Sequence, residues 1–411
     1  MDTLQKMFEL TLHEKIGAKP LIRRVVGKKF TDAGISLTED QLQAIVDRIE
    51  NLKEGEETVR TSDIIGDEIA DVNIEINDKD IEEAVKKVTS FMKDEYPVIL
   101  EGVADSMLEE IKRESETNVL SYREERKAFE DRLEHRWGLP LRLLDTFHLL
   151  ALEAGQEFNK HYRPEASAAS DKTFDVLTRL HARACQVAAE VITLLKAGLA
   201  DGAHARWRTL HEVAIVAMFI EKHRQDIAER YLRHAVVESY KGALQYRKHY
   251  KDLGLQPLAD ADFDKVQADY QKALTDYGVE FKSDYGWAAS ALRKSRPTFS
   301  DLEEAVNLEK WRGHYKLASH NVHANPKGIS FRLGLSHNER NILLAGVSDR
   351  GLADPAHGAT LSLLQITSTL LLTKPNMDTL VRSRILMKLQ HEIKDEFLKV
   401  HNEMEGRVGP K

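Results

Sequence analysis

One stretch of the chain, residues 203–220, constrains the fold more than any other. It reads A-H-A-R-W-R-T-L-H-E-V-A-I-V-A-M-F-I, and every residue from Val213 to Ile220 is apolar. A helix in a soluble protein that is apolar all round must be buried on all sides. The sequence therefore predicts an all-α, multi-helix bundle organised around this helix.

Four ionic or ionisable residues, Arg206, Arg208, His211 and Glu212, lie just before the apolar run. Such groups are costly beside a buried segment unless they are paired and hydrogen-bonded. Arg208 and Glu212 are four residues apart and can pair on the helix surface, whereas Arg206 points the other way. These residues indicate either a pair that fixes helix packing or side chains kept for chemistry.

Charge divides the chain into two regions. The 411 residues carry a formal net charge of −8, but residues 1–136 contain 21 Lys and Arg against 33 Asp and Glu, and the remainder contains 38 against 34. If nucleic acid binds, the second region is the better candidate. We predict a small acidic N-terminal α(+β) module over residues 1–95, a charged helical connector over 96–136 and a C-terminal helical domain over 137–411.

Local patterns support these boundaries. Thr38 to Gln41 reads as a capping box before a helix, and residues 70–76 alternate apolar and polar side chains as a half-buried strand does. Residues 97–135 are rich in charge, with one thin apolar line that is typical of packing arms or coiled coils. The sequence Trp137-Gly138-Leu139-Pro140 predicts the end of that helix, and residues 163–171 predict a loop.

The chain has no pattern of an exported or membrane-spanning protein. The N-terminus lacks a basic segment followed by an apolar core, and the longest uncharged run, residues 358–373, is short and contains seven polar residues. The single cysteine, Cys185, excludes an internal disulfide framework and suits a reducing compartment. We therefore expect a cytoplasmic protein without membrane contact.

A second chemical stretch, residues 311–328, reads W-R-G-H-Y-K-L-A-S-H-N-V-H-A-N-P-K-G. Its helix is predicted to end near Asn325, because Pro326 disfavours helical geometry in the residue before it. Tyr315, Ser319 and His323 are spaced four residues apart and form one polar face. The next helix is predicted to be capped by residues 336–339.

Three functions fit these residues. In a metal-independent nuclease, a histidine such as His211 or His323 would act as general base, and Arg208 would hold the phosphate. In a metal hydrolase, His320, His323, His211 and Glu212 would be the ligands, although no carboxylate stands beside His320 or His323. In a non-catalytic interaction module, Arg208, Glu212 and His323 would form a buried polar network that fixes helix register.

Two motifs, R-T-L-H-E at residues 208–212 and S-H-N-V-H at residues 319–323, resemble an uncharacterised family of bacterial all-helical domains with an R-T-L-x-E helix and a later S-x-x-x-H segment. The resemblance covers residues 139–372 and implies Arg208, Glu212, Ser319 and His323 as site residues. The layout is distantly similar to the HEPN group, many of whose members act in toxin–antitoxin or phage-defence systems. Arg206 and His211 match the R-x(4–6)-H spacing of that group, but they point about 140° apart.

The leading hypothesis is a HEPN-like, metal-independent ribonuclease effector of bacterial antiviral defence or of toxin–antitoxin type, and the alternative is a non-catalytic helical scaffold subunit. The predicted catalytic residues are Arg208, His211, Glu212, Ser319 and His323. No metal and no cofactor are expected. The candidate partners are RNA, a protein bound by the N-terminal module or the charged helix, and a second copy of the chain.

Overall fold

The computed structural model describes residues 6, 17–52, 59–61, 64, 75, 77–324, 326–335 and 342–406. Within these ranges the regular structure is entirely helical, which confirms the predicted all-α fold. The predicted strand over residues 70–76 and the predicted cap over residues 336–339 fall outside the described residues, except for Glu75. Of the helices described, not one has the length and apolar content needed to cross a bilayer.

The described residues belong to two compact units, one within residues 1–122 and one within residues 123–411. The predicted division into residues 1–95, 96–136 and 137–411 stays a prediction. The first unit contains α1, α2 and α3 and then a short π-helical segment, with the bounds Ala18–Asp32, Glu39–Glu50, Asp78–Ser90 and Phe91–Glu95.

The first unit has a small core and a confirmed helix cap. The hydroxyl of Thr38 accepts a hydrogen bond from the Gln41 backbone N–H, and the Gln41 side chain accepts one from the Thr38 backbone, so the predicted capping box is present. Val26 and Phe30 from α1 are buried against Ile45 from α2. These contacts fix the pairing of the first two helices.

The fourth helix, α4, spans Tyr96–Ala168 without a break at Trp137 or Pro140. The predicted interruption is therefore wrong, and the predicted loop over residues 163–171 is correct only for residues 169–171, because the helix continues to Ala168. Proline inside a helix removes one hydrogen bond and costs about 3 kcal/mol. That cost is offset by packing, because Trp137 is fully buried, packs on Phe397 with ring centroids 5.5 Å apart, and donates from Nε1 to the Asp349 carbonyl at 2.8 Å.

The core of the second unit is built from α5, α6, α13 and α14, with the bounds Lys172–Lys196, Ala200–Arg233, Ala353–Leu371 and Met377–Met404. A turn at Gly198, whose φ of 70° suits glycine, folds α6 back on α5 as a helical hairpin. Helix α6 packs on both α5 and α13. Its apolar run is buried or half-buried throughout, as the sequence predicts.

Shorter helices cover one side of α6 and carry the second chemical stretch. They are α7 to α12, with the bounds Ala235–His249, Asp260–Tyr277, Ala289–Leu292, Phe299–Ala305, Arg312–His320 and Pro326–Ser330. Helix α11 and helix α10 both contact α6. This contact brings the two chemical stretches together, although the sequence separates them by about one hundred residues.

A close approach of α13 to α6 depends on Gly358. A Cβ atom at this position would lie 2.8 Å from the indole of Trp207, which is shorter than any normal contact. The Nε1 group of Trp207 donates at 3.1 Å to the hydroxyl of Ser362, which lies on α13 one turn after Gly358. Glycine therefore lets α13 pack directly on the helix that carries Arg208.

Candidate functional site

Arg208 on α6 is held by two neighbours. Its Nε group donates to Oε1 of Glu212 at 3.1 Å, so the predicted pair four residues apart forms. Its guanidinium carbon lies 4.8 Å from the centre of the Tyr315 ring, within the range of a cation–π contact. The side chain retains 24 % of its exposure. The guanidinium is thus both oriented by the protein and accessible from solvent.

Tyr315 on α11 connects the second chemical stretch to this pair. Its hydroxyl donates to the same Oε1 atom of Glu212 at 2.5 Å. Burial raises the pKa of Tyr315, and the hydrogen bond to the Glu212 carboxylate raises it further. The phenol therefore stays protonated and remains a donor at neutral pH. The Glu212 carboxylate is held in one orientation, because its Oε1 atom accepts hydrogen bonds from both Arg208 and Tyr315.

His323 reaches Arg208 from the turn that follows α11. The Nη1 atom of Arg208 and the Nε2 atom of His323 are 3.4 Å apart. Because a guanidinium can only donate, Nε2 must be the acceptor, and the ring proton is then assigned to Nδ1. His323 is exposed. An exposed imidazole is thus placed with its Nε2 atom beside a cation. We call Arg208, Glu212, Tyr315 and His323 the Arg208 cluster.

The predicted polar face on α11 is only partly correct. The helix ends at His320, five residues before the predicted end, so His323 lies in a turn in which its backbone N–H donates to the Ser319 carbonyl at 3.1 Å. The hydroxyl of Ser319 donates to the Tyr315 carbonyl at 2.8 Å. This is a local bond within the helix, and it does not bring Ser319 to Arg208.

His211 belongs to a second, buried cluster rather than to the Arg208 cluster. Its Nε2 atom lies 3.3 Å from Oε1 of Glu303, whose side chain is fully buried. Arg312 donates from Nη1 to the other carboxylate oxygen of Glu303 at 2.8 Å. We call His211, Glu303 and Arg312 the Glu303 cluster. His211 and Glu303 are buried and the carboxylate is paired on both oxygens, which favours a structural role.

The two clusters share one aromatic ring. Tyr315 has the guanidinium of Arg208 4.8 Å from its centre and that of Arg312 5.1 Å from its centre. The ring also packs on Phe299, with centroids 5.0 Å apart. The paired charges on α6 and α11 are therefore separated by a single aromatic layer.

Glu303 and Arg312 are not predicted from the sequence. Glu303 lies on the short helix α10, whose cap is formed by Thr298 and Asp301. A single buried carboxylate on a helix of seven residues does not stand out in the pattern of apolar and polar residues along the sequence. Only the contact of α10 with α6 identifies it as the partner of His211.

The structure separates Arg206 from His211, the two residues that match the HEPN spacing. Arg206 pairs with Glu190 on α5, and its Nη1 donates to the hydroxyl of Thr209 at 3.3 Å. His211 turns toward Glu303 on the other side of the helix. The arginine and histidine that come together are instead Arg208 and His323.

The four residues of the metal hypothesis do not converge. His211 faces Glu303, whereas Glu212 and His323 both face Arg208. Within the part of the chain that the structure describes, no three His, Cys, Asp or Glu residues are arranged to hold a metal ion. The geometry gives the metal hydrolase hypothesis no support.

Two clefts of the second unit lie away from the Arg208 cluster. One of about 710 Å³ is lined by Arg247, Lys248 and Lys251 among others, and one of about 530 Å³ is lined by Tyr162 and Arg382 among others. Neither contains a residue of the Arg208 cluster. The cluster presents its groups at the surface rather than in these clefts.

A comparison with protein-family models gives a match over part of the chain. Residues 174–341 match the model of a family of unknown function (DUF5677). The matched range includes all residues of both clusters, and it fits the predicted resemblance to an uncharacterised family. No protein with a curated description and no solved structure matches the chain.

Proposed function

We propose that this protein cleaves RNA without a metal ion, with His323 as general base and Arg208 as the group that holds the phosphate. The proposal rests on one observation, the 3.4 Å approach of the Arg208 guanidinium to the exposed imidazole of His323. When a ribose 2′-hydroxyl attacks its own phosphodiester, a base must take the hydroxyl proton and a cation can stabilise the charge on the phosphate. The two residues together supply both groups.

The chemistry needs no external reactant. The 2′-hydroxyl proton passes to Nε2 of His323 as the 2′-oxygen forms a bond to phosphorus. The bond from phosphorus to the 5′-oxygen breaks, and the imidazolium returns its proton to that leaving oxygen. The products are a 2′,3′-cyclic phosphate and a 5′-hydroxyl. Arg208 stabilises the charge that develops on the phosphate oxygens.

Substrate binding would exchange one hydrogen bond for another. Before RNA binds, Nη1 of Arg208 lies at Nε2 of His323, the atom that must accept the proton. When a phosphate oxygen accepts the hydrogen bond from Nη1 of Arg208 instead, Nε2 of His323 becomes free to accept the proton of the 2′-hydroxyl. Glu212 keeps the guanidinium in place through Nε, and Tyr315 keeps Glu212 in place, so both act as positioning residues.

The surface position of the Arg208 cluster supports a polymeric substrate. A small molecule is usually bound in an enclosed pocket, whereas a strand of RNA passes over an open surface and is bound mainly through its phosphates. The second region of the chain, which carries the cluster, also has a charge balance of +4, from 38 basic and 34 acidic residues. The proposed setting, bacterial antiviral defence or a toxin–antitoxin pair, rests on the HEPN resemblance alone.

The test is cleavage of an oligodeoxynucleotide that contains a single ribonucleotide, in the presence of EDTA. We expect cleavage after the ribonucleotide, with a 2′,3′-cyclic phosphate end, and no cleavage of the all-DNA control. His323→Ala and Arg208→Ala should each lower the rate of cleavage by about 100-fold or more. His314→Ala and Arg206→Ala, which change exposed or half-buried neighbours on the same two helices, should not. An inactive native protein, or full activity in both site variants, would refute the proposal.

The second candidate is a non-catalytic helical subunit, and the Glu303 cluster favours it. Glu303 is fully buried and receives both His211 and Arg312, an arrangement that fixes the register of α10 and α11 on α6. In this case Arg208 and His323 would continue the same packing network to the surface. The variants would then change the free energy of unfolding while the native protein shows no cleavage.

A further inference from the structure

Helices α7 and α8 pack together as a hairpin, and a cleft of about 710 Å³ lies where the chain passes from one helix to the other. The residues that line it come from the last turn of α7, the connecting segment and the first residue of α8. Its volume is within the range of sites that bind small molecules. Cationic, aromatic and apolar side chains form different parts of the lining.

The cationic part of the lining consists of Arg247, Lys248 and Lys251. Both lysines are exposed, and neither makes an ion pair with another residue that the structure describes. The guanidinium carbon of Arg247 lies 4.2 Å from the centre of the Phe263 ring, and its Nη2 group donates to Oδ1 of Asp260 at 3.4 Å. Among the residues that line the cleft, Asp260 is the only carboxylate. This excess of cations on a concave surface favours an anionic ligand.

Two further carboxylates near the cleft face away from it. Oδ2 of Asp252 lies 3.5 Å from Nδ1 of His249, and neither of these residues lines the cleft. Asp262 follows Asp260 by two positions, so it points to about the opposite side of α8. The excess of positive charge is therefore retained at the cleft itself.

The rest of the lining is aromatic and apolar. Tyr250 is half-buried, and Pro257 and Leu258 of the connecting segment line the cleft with it. The ring of Tyr250 stacks on that of Tyr246 with centroids 6.3 Å apart, and the hydroxyl of Tyr246 donates to the Gln256 carbonyl at 2.7 Å. These contacts hold the connecting segment against the end of α7. The shape of the cleft is therefore fixed by contacts within the hairpin.

We propose that this cleft binds a free nucleoside di- or triphosphate. The phosphates contact Lys248, Lys251 and the remaining donors of Arg247, and the base lies on the ring of Tyr250 beside the apolar segment. An inorganic phosphate would leave the aromatic and apolar lining unused, whereas an uncharged ring would leave the cations unused. A nucleotide with more than one phosphate uses both. Binding at this cleft does not depend on the proposed ribonuclease activity.

The first experiment is calorimetric titration of the full chain with ATP. Lys248→Ala combined with Lys251→Ala should weaken ATP binding by about 10-fold or more, because two charged contacts to phosphate are lost. Lys265→Ala combined with Lys272→Ala is the matched control: both lysines are exposed on α8 outside the lining, so the affinity should stay within about twofold. All four positions are exposed, so thermal unfolding should match that of the native protein. No ATP binding by the native protein, or equal affinities of the two double variants, would overturn the proposal.

The second experiment separates a nucleotide from a simple anion. Tyr250→Leu keeps an apolar side chain but removes the flat ring. It should weaken ATP binding by about 10-fold, as expected for the loss of one stacked base, and leave the binding of inorganic tripolyphosphate unchanged. An unchanged affinity for ATP would overturn the proposal by showing a site for anions alone, and equal losses for both ligands would overturn it as well. Tighter binding of a single-stranded oligoribonucleotide than of ATP, lost in the Lys248 and Lys251 double variant, would assign the cleft to an RNA strand instead.

Discussion

Arg208 and His323 are separated by 115 positions in the sequence, yet Nη1 of one lies 3.4 Å from Nε2 of the other. The contact exists because α11 packs on α6 and the turn after α11 returns His323 to the first turns of that helix. Arg208 donates through Nε to Oε1 of Glu212, and the hydroxyl of Tyr315 donates to the same oxygen and so orients the carboxylate. The arginine is thus oriented through Nε, and its Nη1 atom lies beside Nε2 of His323 at the surface.

The role of the guanidinium can be tested by keeping its charge and changing its shape. Arg208→Ala should lower the rate of RNA cleavage by about 100- to 1,000-fold, the usual effect of losing one stabiliser of transition-state charge. Arg208→Lys should recover part of this loss, because a lysine keeps the charge but not the paired donors. Single-turnover cleavage measures the rate, and Arg206→Lys is the matched control. Equal rates for native protein and Arg208→Ala would contradict the assignment.

Tyr315→Phe tests the positioning of Glu212. The variant keeps the ring between Arg208 and Arg312 but removes the donor to the carboxylate. We expect the free energy of unfolding to fall by about 1.5–3 kcal/mol, as for other hydrogen bonds to charged groups. Urea denaturation gives the value. Tyr246→Phe is the control, since its exposed hydroxyl donates only to the Gln256 carbonyl, and it should change the stability by less than about 0.5 kcal/mol.

Glu303→Gln should lower the free energy of unfolding and leave the exposed Arg208 cluster unchanged. The carboxylate is fully buried and binds both His211 and Arg312, so the neutral amide leaves a cation incompletely paired. We expect a loss of about 2–4 kcal/mol in the free energy of unfolding. Glu304→Gln changes the next residue, which is exposed, and should have almost no effect. A similar stability for both variants in chemical denaturation would show that the buried cluster is not structural.

Local sequence patterns predict the features that depend on spacing along one helix. The apolar run from Val213 to Ile220 identifies the central helix, and the four-residue spacing identifies the Arg208–Glu212 pair. Glu303 cannot be predicted in this way, because its partner, His211, lies 92 residues away in the sequence and the spacing of residues within one helix carries no information about that contact.

Packing between helices accounts for the failed boundary predictions. Pro140 stays helical because the burial of Trp137 against Phe397 outweighs a local preference of about 3 kcal/mol. Helix α11 ends early at His320, and only this ending allows His323 to turn toward Arg208. Both outcomes depend on residues that are distant in the sequence, so a pattern within one segment does not reveal them.

Two buried histidines should make the stability of the protein depend on pH. Burial lowers the pKa of His181 and of His204 from the ordinary 6.5 to about 4, because the charged imidazolium is poorly solvated inside the protein. The Nδ1 atom of His204 also has no hydrogen-bond partner among the described residues. Below pH 6.5 the unfolded chain takes up protons on both histidines, while the folded chain does so only near pH 4. The unfolded state thus binds more protons, and stability falls as the pH is lowered through this window.

We expect each of these histidines to contribute a loss of about 2–3 kcal/mol in the free energy of unfolding between pH 6.5 and 4.5. The measurement is urea denaturation at several pH values, and the quantity to compare is the change with pH, not the absolute stability. His204→Gln should reduce that change by roughly its own share, because glutamine does not titrate. His249→Gln, at an exposed position, should leave the change as it is in the native protein. An unaltered pH dependence in His204→Gln would show that His204 can take up its proton in the folded state.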